Sequence, residues 1–407
     1  MKCILLEGIH KIAGEQLMAQ NLQVDHIKSA PGTKELSLKK NCLALGIRSR
    51  TRITKNILEA LCPSLRLIGA FCIGTDQIDL NAARQMGVPV FNAPYGNTRS
   101  VAELVISHII ALSRQSYHFN QIMHQRKWNK TAQGSKEVRG KTLGIVGYGH
   151  IGTQVSILAE SMGMKVIYFD IIETLQMGNA RPVKNLKELM SLSDFVTLHV
   201  PQTSATKNMI QEKQLRWMKK GSFLINTSRG TVVNLEDLKI SLQEGHLAGA
   251  ALDVFPEEPQ AKESTFICPL QGMKQVILTP HIAGSTEEAQ ENIAKQVSAS
   301  LLKYLFHGIS EGAVNFPILN PPILDPTKKG QRLVNIHKNV PGVLGNINGL
   351  MSRLKINIQS QYLSTKEDIG YLIMDMEHKN IKPLWDAIDS LDTSIRTYIL
   401  PFSTDRS

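Results

Sequence analysis

A glycine-rich segment in the middle of the chain constrains its fold more than any other feature. The sequence Gly-Tyr-Gly-His-Ile-Gly at 147–152 follows an apolar run, Thr142 to Val146, and precedes a segment of helical periodicity. The first glycine permits a tight turn, the second lets a pyrophosphate approach the backbone, and the third lets helix and strand pack closely. The amino end of that helix offers unpaired N–H groups to phosphates. The pattern predicts a dinucleotide-binding unit.

An acidic residue after the next strand identifies the dinucleotide. Asp170 lies 18 residues past Gly152, at the end of the apolar run Lys165 to Phe169. A carboxylate there accepts hydrogen bonds from the adenosine ribose hydroxyls and repels a 2′-phosphate. The sequence therefore predicts NAD rather than NADP.

Polar turns follow three later strands and supply residues for acid-base chemistry. Arg229, Glu258 and His281 lie in these turns, at 226–230, 253–259 and 279–284. Ligands of open α/β sheets lie at the carboxyl ends of the strands, so we expect these side chains at one edge. Histidine titrates near neutrality and suits the proton of a substrate hydroxyl. A carboxylate paired with it would stabilise its protonated form, and a guanidinium can bind a substrate carboxylate and polarise the adjacent oxygen.

Alternation of short apolar runs with helical patterns predicts two open, doubly wound parallel sheets. The strands expected in the first part are Cys3–Leu6, Cys42–Ile47, Leu65–Cys72 and Val88–Phe91. A connecting helix is expected within 99–128. The strands expected after it are Thr142–Val146, Lys165–Phe169, Phe195–Val200, Ser222–Ile225, Gly249–Val254 and Val276–Leu278.

A proline-rich segment separates a third part of the chain, whose predicted order β-α-β-β-α-β is that of the ferredoxin-like fold. We therefore divide the sequence into four regions. They are a first, discontinuous substrate domain at 1–98 and 285–314, an NAD domain at 99–284, a linker at 315–330 and a small domain at 331–407.

Composition excludes several classes of function. The net charge is +11, but the basic residues occur singly or in pairs, which argues against nucleic-acid binding. Glu7 interrupts the first apolar run, and no stretch approaches the roughly 18 apolar residues of a membrane span. The five cysteines form no C-x-x-C pair, which is typical of reduced thiols in a cytoplasmic protein. We expect no metal site.

At these residues the sequence resembles the D-isomer-specific 2-hydroxyacid dehydrogenases, in particular three-domain members that oxidise 3-phosphoglycerate with NAD. The matching segments are 46–51, 74–76, 91–94, 97–103, 147–152, 228–230, 253–259 and 279–281. The resemblance implies that Arg229, Glu258 and His281 are catalytic and that the first domain has a flavodoxin-like and the second a Rossmann fold. The implied NAD-site residues are Gly147, Gly149, His150, Ile151, Gly152, Asp170, Thr227, Ser228, Arg229, Asp253, His281, Ile282, Ala283 and Gly284.

The substrate residues are expected mainly in the first domain. Arg48, Ser49 and Arg50 form a basic cluster at a strand end, suited to a phosphate dianion. Backbone N–H groups at Gly74 and Thr75 could take a carboxylate, and Asn97 could hydrogen-bond the substrate. Ala283 departs from the family pattern, because many relatives have glycine there.

The last domain resembles an ACT domain, a regulatory module that binds amino acids between copies. The resemblance assigns His337, Asn339 and Asn357 to serine as an inhibitor and implies a homotetramer. Two alternatives remain open. One is another D-2-hydroxyacid dehydrogenase, such as a hydroxypyruvate, glyoxylate or 2-oxoglutarate reductase. The other is an NAD-sensing binding protein without catalysis.

Overall fold

A computed structural model describes residues 2–32, 35–36, 41–62, 64–259, 265–325, 330–377 and 381–401. The chain forms two compact units, Met1–Gly96 with Gln290–Ser407, and Asn97–Ala289. The domain boundaries predicted above stay a prediction. Residues 326–329 of the predicted linker and 402–407 of the predicted third domain lie outside the described residues.

The first unit opens with a parallel five-stranded sheet. Its strands are β1 (Lys2–Leu5), β2 (Gln23–His26), β3 (Ala44–Ile47), β4 (Leu67–Ala70) and β5 (Val90–Phe91). Their order, β2-β1-β3-β4-β5, is that of flavodoxin-like sheets. The accompanying helices are α1 (Lys11–Met18), α2 (Lys55–Leu61) and α3 (Leu80–Gln85). Strand β2 was missed in the sequence because it is an edge strand of mostly polar, partly exposed residues.

The second unit begins with two helices, α4 (Thr98–Arg114) and α5 (Ser116–His124), where one connecting helix was predicted. That prediction was wrong at Gln115, which has a left-handed backbone with φ of 53° and ends α4. A helix cannot continue through such a residue.

Seven strands follow in the second unit, all parallel. They are β6 (Thr142–Val146), β7 (Lys165–Phe169), β8 (Arg181–Pro182), β9 (Phe195–Leu198), β10 (Ser222–Asn226), β11 (Leu247–Leu252) and β12 (Val276–Leu278). The helices are α6 (His150–Ser161), α7 (Leu186–Leu192), α8 (Glu212–Leu215), α9 (Leu235–Gln243) and α10 (Glu287–His307), whose later turns belong to the first unit. The order β12-β11-β10-β9-β6-β7-β8 confirms the Rossmann fold.

The remaining strands form an antiparallel sheet of order β14-β15-β13-β16, which confirms the ferredoxin-like plan. Its elements are β13 (Gln331–Lys338), α11 (Val343–Arg353), β14 (Ser360–Lys366), β15 (Ile369–Met376), α12 (Lys382–Asp389) and β16 (Ser394–Pro401). Along β14 the residues alternate between partly buried and exposed, as expected for an edge strand with one face on the sheet core. Among the described residues, no helix is long and apolar enough to cross a lipid bilayer.

A buried ion pair lies in the first unit, between β13 and β15. Arg332 is 1% exposed, and its Nε and Nη2 atoms donate to the two carboxylate oxygens of Asp375 at 2.6 and 2.8 Å. The same guanidinium donates to the carbonyl oxygens of His307 and Pro322 at 2.6 and 3.1 Å. It therefore links the ferredoxin-like sheet to the end of α10 and to the segment after it.

Replacing Arg332 by methionine leaves the Asp375 carboxylate buried without its counter-ion. We expect Arg332→Met to lower the free energy of unfolding by about 3–5 kcal/mol, measured by urea denaturation of the full chain. The double variant Arg332→Met/Asp375→Leu removes both charges and should recover most of that loss. Equal destabilisation in the single and double variants would show that the packing of the side chains, not the ion pair, matters here.

Candidate active site

The three glycines of the turn after β6 meet different steric demands. Gly147 has φ of 90°, and a Cβ there would lie 2.4 Å from the carbonyl oxygen of His199. A Cβ at Gly152 would lie 2.3 Å from the carbonyl oxygen of Gly147. At Gly149 a Cβ would meet no heavy atom within 4 Å, so the backbone faces open space beside the amino end of α6. The turn is shaped to admit a group to that helix end.

Asp170 is fixed beside this turn at the end of β7. One carboxylate oxygen accepts the backbone N–H of Tyr148 at 2.6 Å, and the other accepts that of Ile172 at 3.0 Å. The Tyr148 ring stacks on Tyr168 with 3.8 Å between ring centroids. The acid therefore stands next to the glycine turn, as a ribose-binding residue requires.

Asn226, the last residue of β10, shapes the turn that carries Arg229. Its side-chain oxygen accepts the backbone N–H and the hydroxyl of Ser228 at 3.0 and 2.8 Å, and its amide donates to the carbonyl oxygen of Arg229 at 3.0 Å. A Cβ at Gly230 would lie 1.9 Å from the carbonyl carbon of Phe255, so only glycine allows the two turns to approach.

Asp253 fixes the loop after β12. Its carboxylate accepts the Thr279 hydroxyl at 2.5 Å and the backbone N–H groups of Ile282 and Ala283 at 2.9 and 2.8 Å. Its carbonyl oxygen accepts the backbone N–H of His281 at 2.8 Å. Asp253 is fully buried, so these hydrogen bonds form away from water and hold the loop firmly.

Glu258, in the loop after β11, and His281, in the loop after β12, form a hydrogen-bonded pair. The Oε2 atom of Glu258 lies 2.7 Å from Nδ1 of His281, and Oε1 accepts the backbone N–H of Phe255 at 3.1 Å. The hydrogen bond to Glu258 raises the pKa of His281 above its ordinary value, with burial opposing it. Burial alone would raise the pKa of Glu258, but hydrogen bonds from His281 and Phe255 and the nearby positive charge hold it below its ordinary value. The pair favours the protonated imidazole.

The remaining residues predicted for the cofactor fit a dinucleotide. His150 and Ile151 begin α6, while Ile282, Ala283 and Gly284 follow His281 in the loop that Asp253 holds. The Thr227 hydroxyl oxygen is buried and has no hydrogen-bond partner among the described residues. Buried polar atoms without partners are uncommon, and one at the carboxyl end of a strand suits a ligand site.

Comparison with known proteins agrees with this geometry. Residues 106–283 match the NAD binding domain of D-isomer specific 2-hydroxyacid dehydrogenases, and residues 333–396 match an AHAS small subunit-like ACT domain. The chain is 48% identical over 401 residues to a D-3-phosphoglycerate dehydrogenase of Dictyostelium discoideum, covering 98% of this chain and 97% of that one. The chain belongs to the D-3-phosphoglycerate dehydrogenase family.

Two further relatives show how far the family resemblance extends. The D-3-phosphoglycerate dehydrogenase of Escherichia coli K12 is 48% identical over 379 residues, covering 93% of this chain and 91% of that one. A crystal structure of D-lactate dehydrogenase from Aquifex aeolicus, complexed with NAD and lactic acid, is similar with a TM-score of 0.67 at 26% identity, covering 78% of this chain and all of that one. The prediction of an NAD-dependent enzyme of this family is confirmed.

The residues predicted for the substrate fall in both units. Arg48, Ser49 and Arg50 follow β3 in the first unit, as Gly74 and Thr75 follow β4. Asn97 belongs to the second unit, and its side-chain oxygen is buried with no hydrogen-bond partner among the described residues. A Cβ at Gly284 would lie 2.0 Å from the Asn97 amide nitrogen, so glycine is needed beside it.

The predicted serine-binding residues do not meet within one copy of the chain. His337 is buried near the end of β13, with Nδ1 at 3.1 Å from the Asn335 side-chain oxygen, and burial lowers its pKa. Asn339 donates to the carbonyl oxygen of Glu367 at 3.0 Å. Asn357 precedes β14. The first residue of β14 and Arg332, near the start of β13, pair with the same residue of β15, whereas His337 lies near the end of β13. Arg332 and His337 are five residues apart in β13, which is about 16 Å along a strand.

Sequence reasoning missed three residues that organise the site. Asn226 and Gly230 shape the Arg229 turn, and Thr279 ties its hydroxyl to Asp253. All three lie inside the polar turns that the sequence singled out. The available signal was therefore their presence beside Arg229 and His281, but their contacts depend on neighbouring strands.

Replacing Asp170 tests the ribose assignment. We expect Asp170→Ala to weaken NADH binding about tenfold, because a charge-assisted hydrogen bond is lost, and to reduce the discrimination against NADPH. The measurement is a fluorescence titration of the purified chain with each nucleotide. Glu173→Ala, an exposed acid three residues away, is the matched control. Unchanged affinity for both nucleotides in Asp170→Ala would contradict the assignment.

Proposed function

We propose that the chain oxidises 3-phospho-D-glycerate to 3-phosphohydroxypyruvate with NAD, the first step of serine biosynthesis. The observation that carries this proposal is the Glu258–His281 pair at 2.7 Å, in a chain 48% identical to relatives named for this reaction. The Glu258 carboxylate sets which nitrogen of the imidazole faces a substrate, and His281 lies in the loop that Asp253 fixes.

The proton of the substrate hydroxyl passes to His281. Because Nδ1 of the imidazole faces the Glu258 carboxylate, it carries a hydrogen, and in the neutral ring Nε2 keeps its lone pair. The hydroxyl proton moves to Nε2 and creates an imidazolium that Glu258 stabilises. In the reverse direction the same imidazolium donates the proton to the forming alkoxide.

Cationic side chains bind the acidic ends of the substrate. Arg229 binds the carboxylate and polarises the oxygen that becomes the carbonyl. Arg48, Ser49 and Arg50 bind the phosphate, the backbone N–H groups of Gly74 and Thr75 also bind the carboxylate, and the side chain of Asn97 hydrogen-bonds the substrate.

Bound NAD would supply the acceptor for the hydride on the carbon that carries the hydroxyl. Gly147, Gly149 and Gly152 would hold its pyrophosphate at the amino end of α6, and Asp170 would bind the adenosine ribose. Thr227, Ser228 and Asp253 with the residues after His281 line the nicotinamide end.

Substitutions at the paired residues test the acid-base assignment. We expect His281→Ala to lower kcat by about 10²- to 10⁴-fold while NADH still binds, because general acid-base catalysis is lost. Glu258 raises the pKa of His281, so Glu258→Gln lowers that pKa and the base stays neutral to lower pH. The acidic limb of kcat/KM for oxidation should therefore move to lower pH.

The matched control for this experiment is Glu257→Gln, an exposed neighbour of the pair. Its pH profile and kcat should equal those of the unmodified enzyme. An unshifted acidic limb in Glu258→Gln, or an active His281→Ala enzyme, would defeat the assignment.

We further propose that serine inhibits the enzyme and that it works as a homotetramer in the cytoplasm. The opposite placement of His337 and Asn357 in the strand register supports an effector site that draws residues from two copies. Exposed Tyr117, Met123 and Trp128, at 45%, 51% and 80%, support self-association of the second unit. None of the five cysteines, all of which lie in the described part of the chain, forms a disulfide, which suits a reducing compartment.

One assay separates the candidate functions. NADH absorbance should fall with phosphohydroxypyruvate, serine should slow that fall, and Asn339→Ala should respond less to serine at unchanged basal rate. Turnover of only unphosphorylated 2-keto acids would favour another 2-hydroxyacid dehydrogenase. NADH binding without turnover of any keto acid would favour a sensor. Light scattering should give the mass of four chains, each of 45.2 kDa.

A further inference from the structure

Glu7 is a buried acid with a strained backbone at the end of the first strand. It lies two residues after β1, is 3% exposed and has φ of 60°. Its backbone N–H donates to the carbonyl oxygen of Ser29 at 3.1 Å. A left-handed conformation is unfavourable for a non-glycine residue, so surrounding contacts must compensate for it.

The carboxylate of Glu7 binds the backbone of the basic loop after β3. Oε1 accepts the backbone N–H groups of Arg48 and Thr51 at 3.1 and 2.8 Å, and Oε2 accepts that of Arg50 at 3.0 Å. The Nε atom of Arg50 lies 3.7 Å from Oε2. Three N–H groups of one short loop thus converge on a single side chain more than 40 residues away in sequence.

This contact lies where an open sheet binds its ligand. Strands β1 and β3 are neighbours in the order β2-β1-β3-β4-β5, and the chain order reverses between them. Ligands of doubly wound sheets bind beyond the carboxyl ends of the strands at this reversal. Glu7 follows β1 and the basic loop follows β3, so they flank the crevice.

Because Glu7 hydrogen-bonds the backbone of Arg48, the Arg48 guanidinium is available to bind a ligand. Among the described residues, no carboxylate pairs with that guanidinium, because Glu7 binds the Arg48 backbone instead. A second side chain holds the same residue, since Gln77 donates to the Arg48 carbonyl oxygen at 2.7 Å. Arg48 is therefore fixed by its backbone from two sides.

We infer that Glu7 is a positioning residue that sets the preference for a phosphorylated substrate, by holding Arg48 and Arg50 in the geometry that binds a phosphomonoester dianion. The inference rests on the proposed function and adds a residue that determines its specificity. Glu7 itself does not touch the substrate, and its effect passes through the loop. Binding of the unphosphorylated part of the substrate does not depend on it.

Only a carboxylate of this length can accept all three N–H groups. Glutamine at this position has a single acceptor oxygen, so Glu7→Gln places an NH₂ group against at least one backbone N–H. Aspartate keeps the charge but is one methylene shorter. If geometry determines the effect, Glu7→Asp should resemble Glu7→Gln rather than the unmodified enzyme.

The experiment compares phosphohydroxypyruvate with hydroxypyruvate in Glu7→Gln, Glu7→Asp and the unmodified chain. We expect the ratio of their kcat/KM values to fall by about 10- to 100-fold in both variants, mainly through KM for phosphohydroxypyruvate, because hydrogen bonds to a charged group are weakened. Glu15→Gln, an exposed acid in α1, is the matched control and should leave the ratio unchanged. Thermal unfolding checks each variant, and Glu7→Asp serves if Glu7→Gln does not fold.

A double-mutant cycle shows whether Glu7 acts through the loop. Arg48→Met should lower the same ratio, and Glu7→Gln added to Arg48→Met should cause little further loss. Equal loss of activity toward both substrates, or additive losses in the cycle, would overturn the inference while leaving the proposed function intact. An unmodified enzyme that does not prefer phosphohydroxypyruvate would overturn the proposed function and this inference with it.

Discussion

The buried carboxylate of Asp253 makes the hydrogen bonds on which the geometry of the Glu258–His281 pair depends. It takes the Thr279 hydroxyl and two backbone N–H groups, while its carbonyl takes the N–H of His281. His281 has φ of 54°, a left-handed conformation that few non-glycine residues adopt, and the hydrogen bonds of Asp253 on either side of it hold it there. Because the backbone at His281 is fixed, its imidazole ring can adopt few orientations. Its 2.7 Å contact with Glu258 is therefore a consequence of the fold.

Parallel strands explain why so few residues suffice to build the site. The strand ends of β10, β11 and β12 lie side by side, since these strands are neighbours in register. A single polar turn after each strand then places a guanidinium, a carboxylate and an imidazole along one edge of the sheet. Gly230 allows the first two turns to touch, because any side chain there would overlap Phe255. The chemistry is distributed over distant sequence positions but confined to one edge of the sheet.

The parts of the fold that could be predicted from the sequence are those with local causes. Gly147 has a φ of 90° and Gly152 packs against the carbonyl oxygen of Gly147, so these two positions of the glycine pattern have causes within their own turn and can be predicted from the sequence. Gln115 shows the opposite case, because nothing in a glutamine side chain signals the left-handed backbone that divides α4 from α5. The separation of Asn357 from His337 follows from strand register, which no local pattern encodes. In the sequence, Glu7 is recognisable only as the polar residue that ends an apolar run, because its partners lie more than 40 residues away.

Both units fix a functional loop with the same device, a buried carboxylate that accepts backbone N–H groups. Glu7 binds the loop after β3 and Asp253 binds the loop after β12. A carboxylate placed against the cationic side chain itself would compete with the anionic substrate for it. Bound to the loop backbone, Glu7 orders the loop and leaves the Arg48 guanidinium to the ligand, while its Oε2 atom also lies 3.7 Å from Nε of Arg50. Glu258 differs from both, because it contacts the His281 ring directly at 2.7 Å, which fits the proton exchange proposed at that ring. Glu7 and Asp253 thus fix the path of a loop, whereas Glu258 sets the hydrogen-bonding state of one side chain on such a loop.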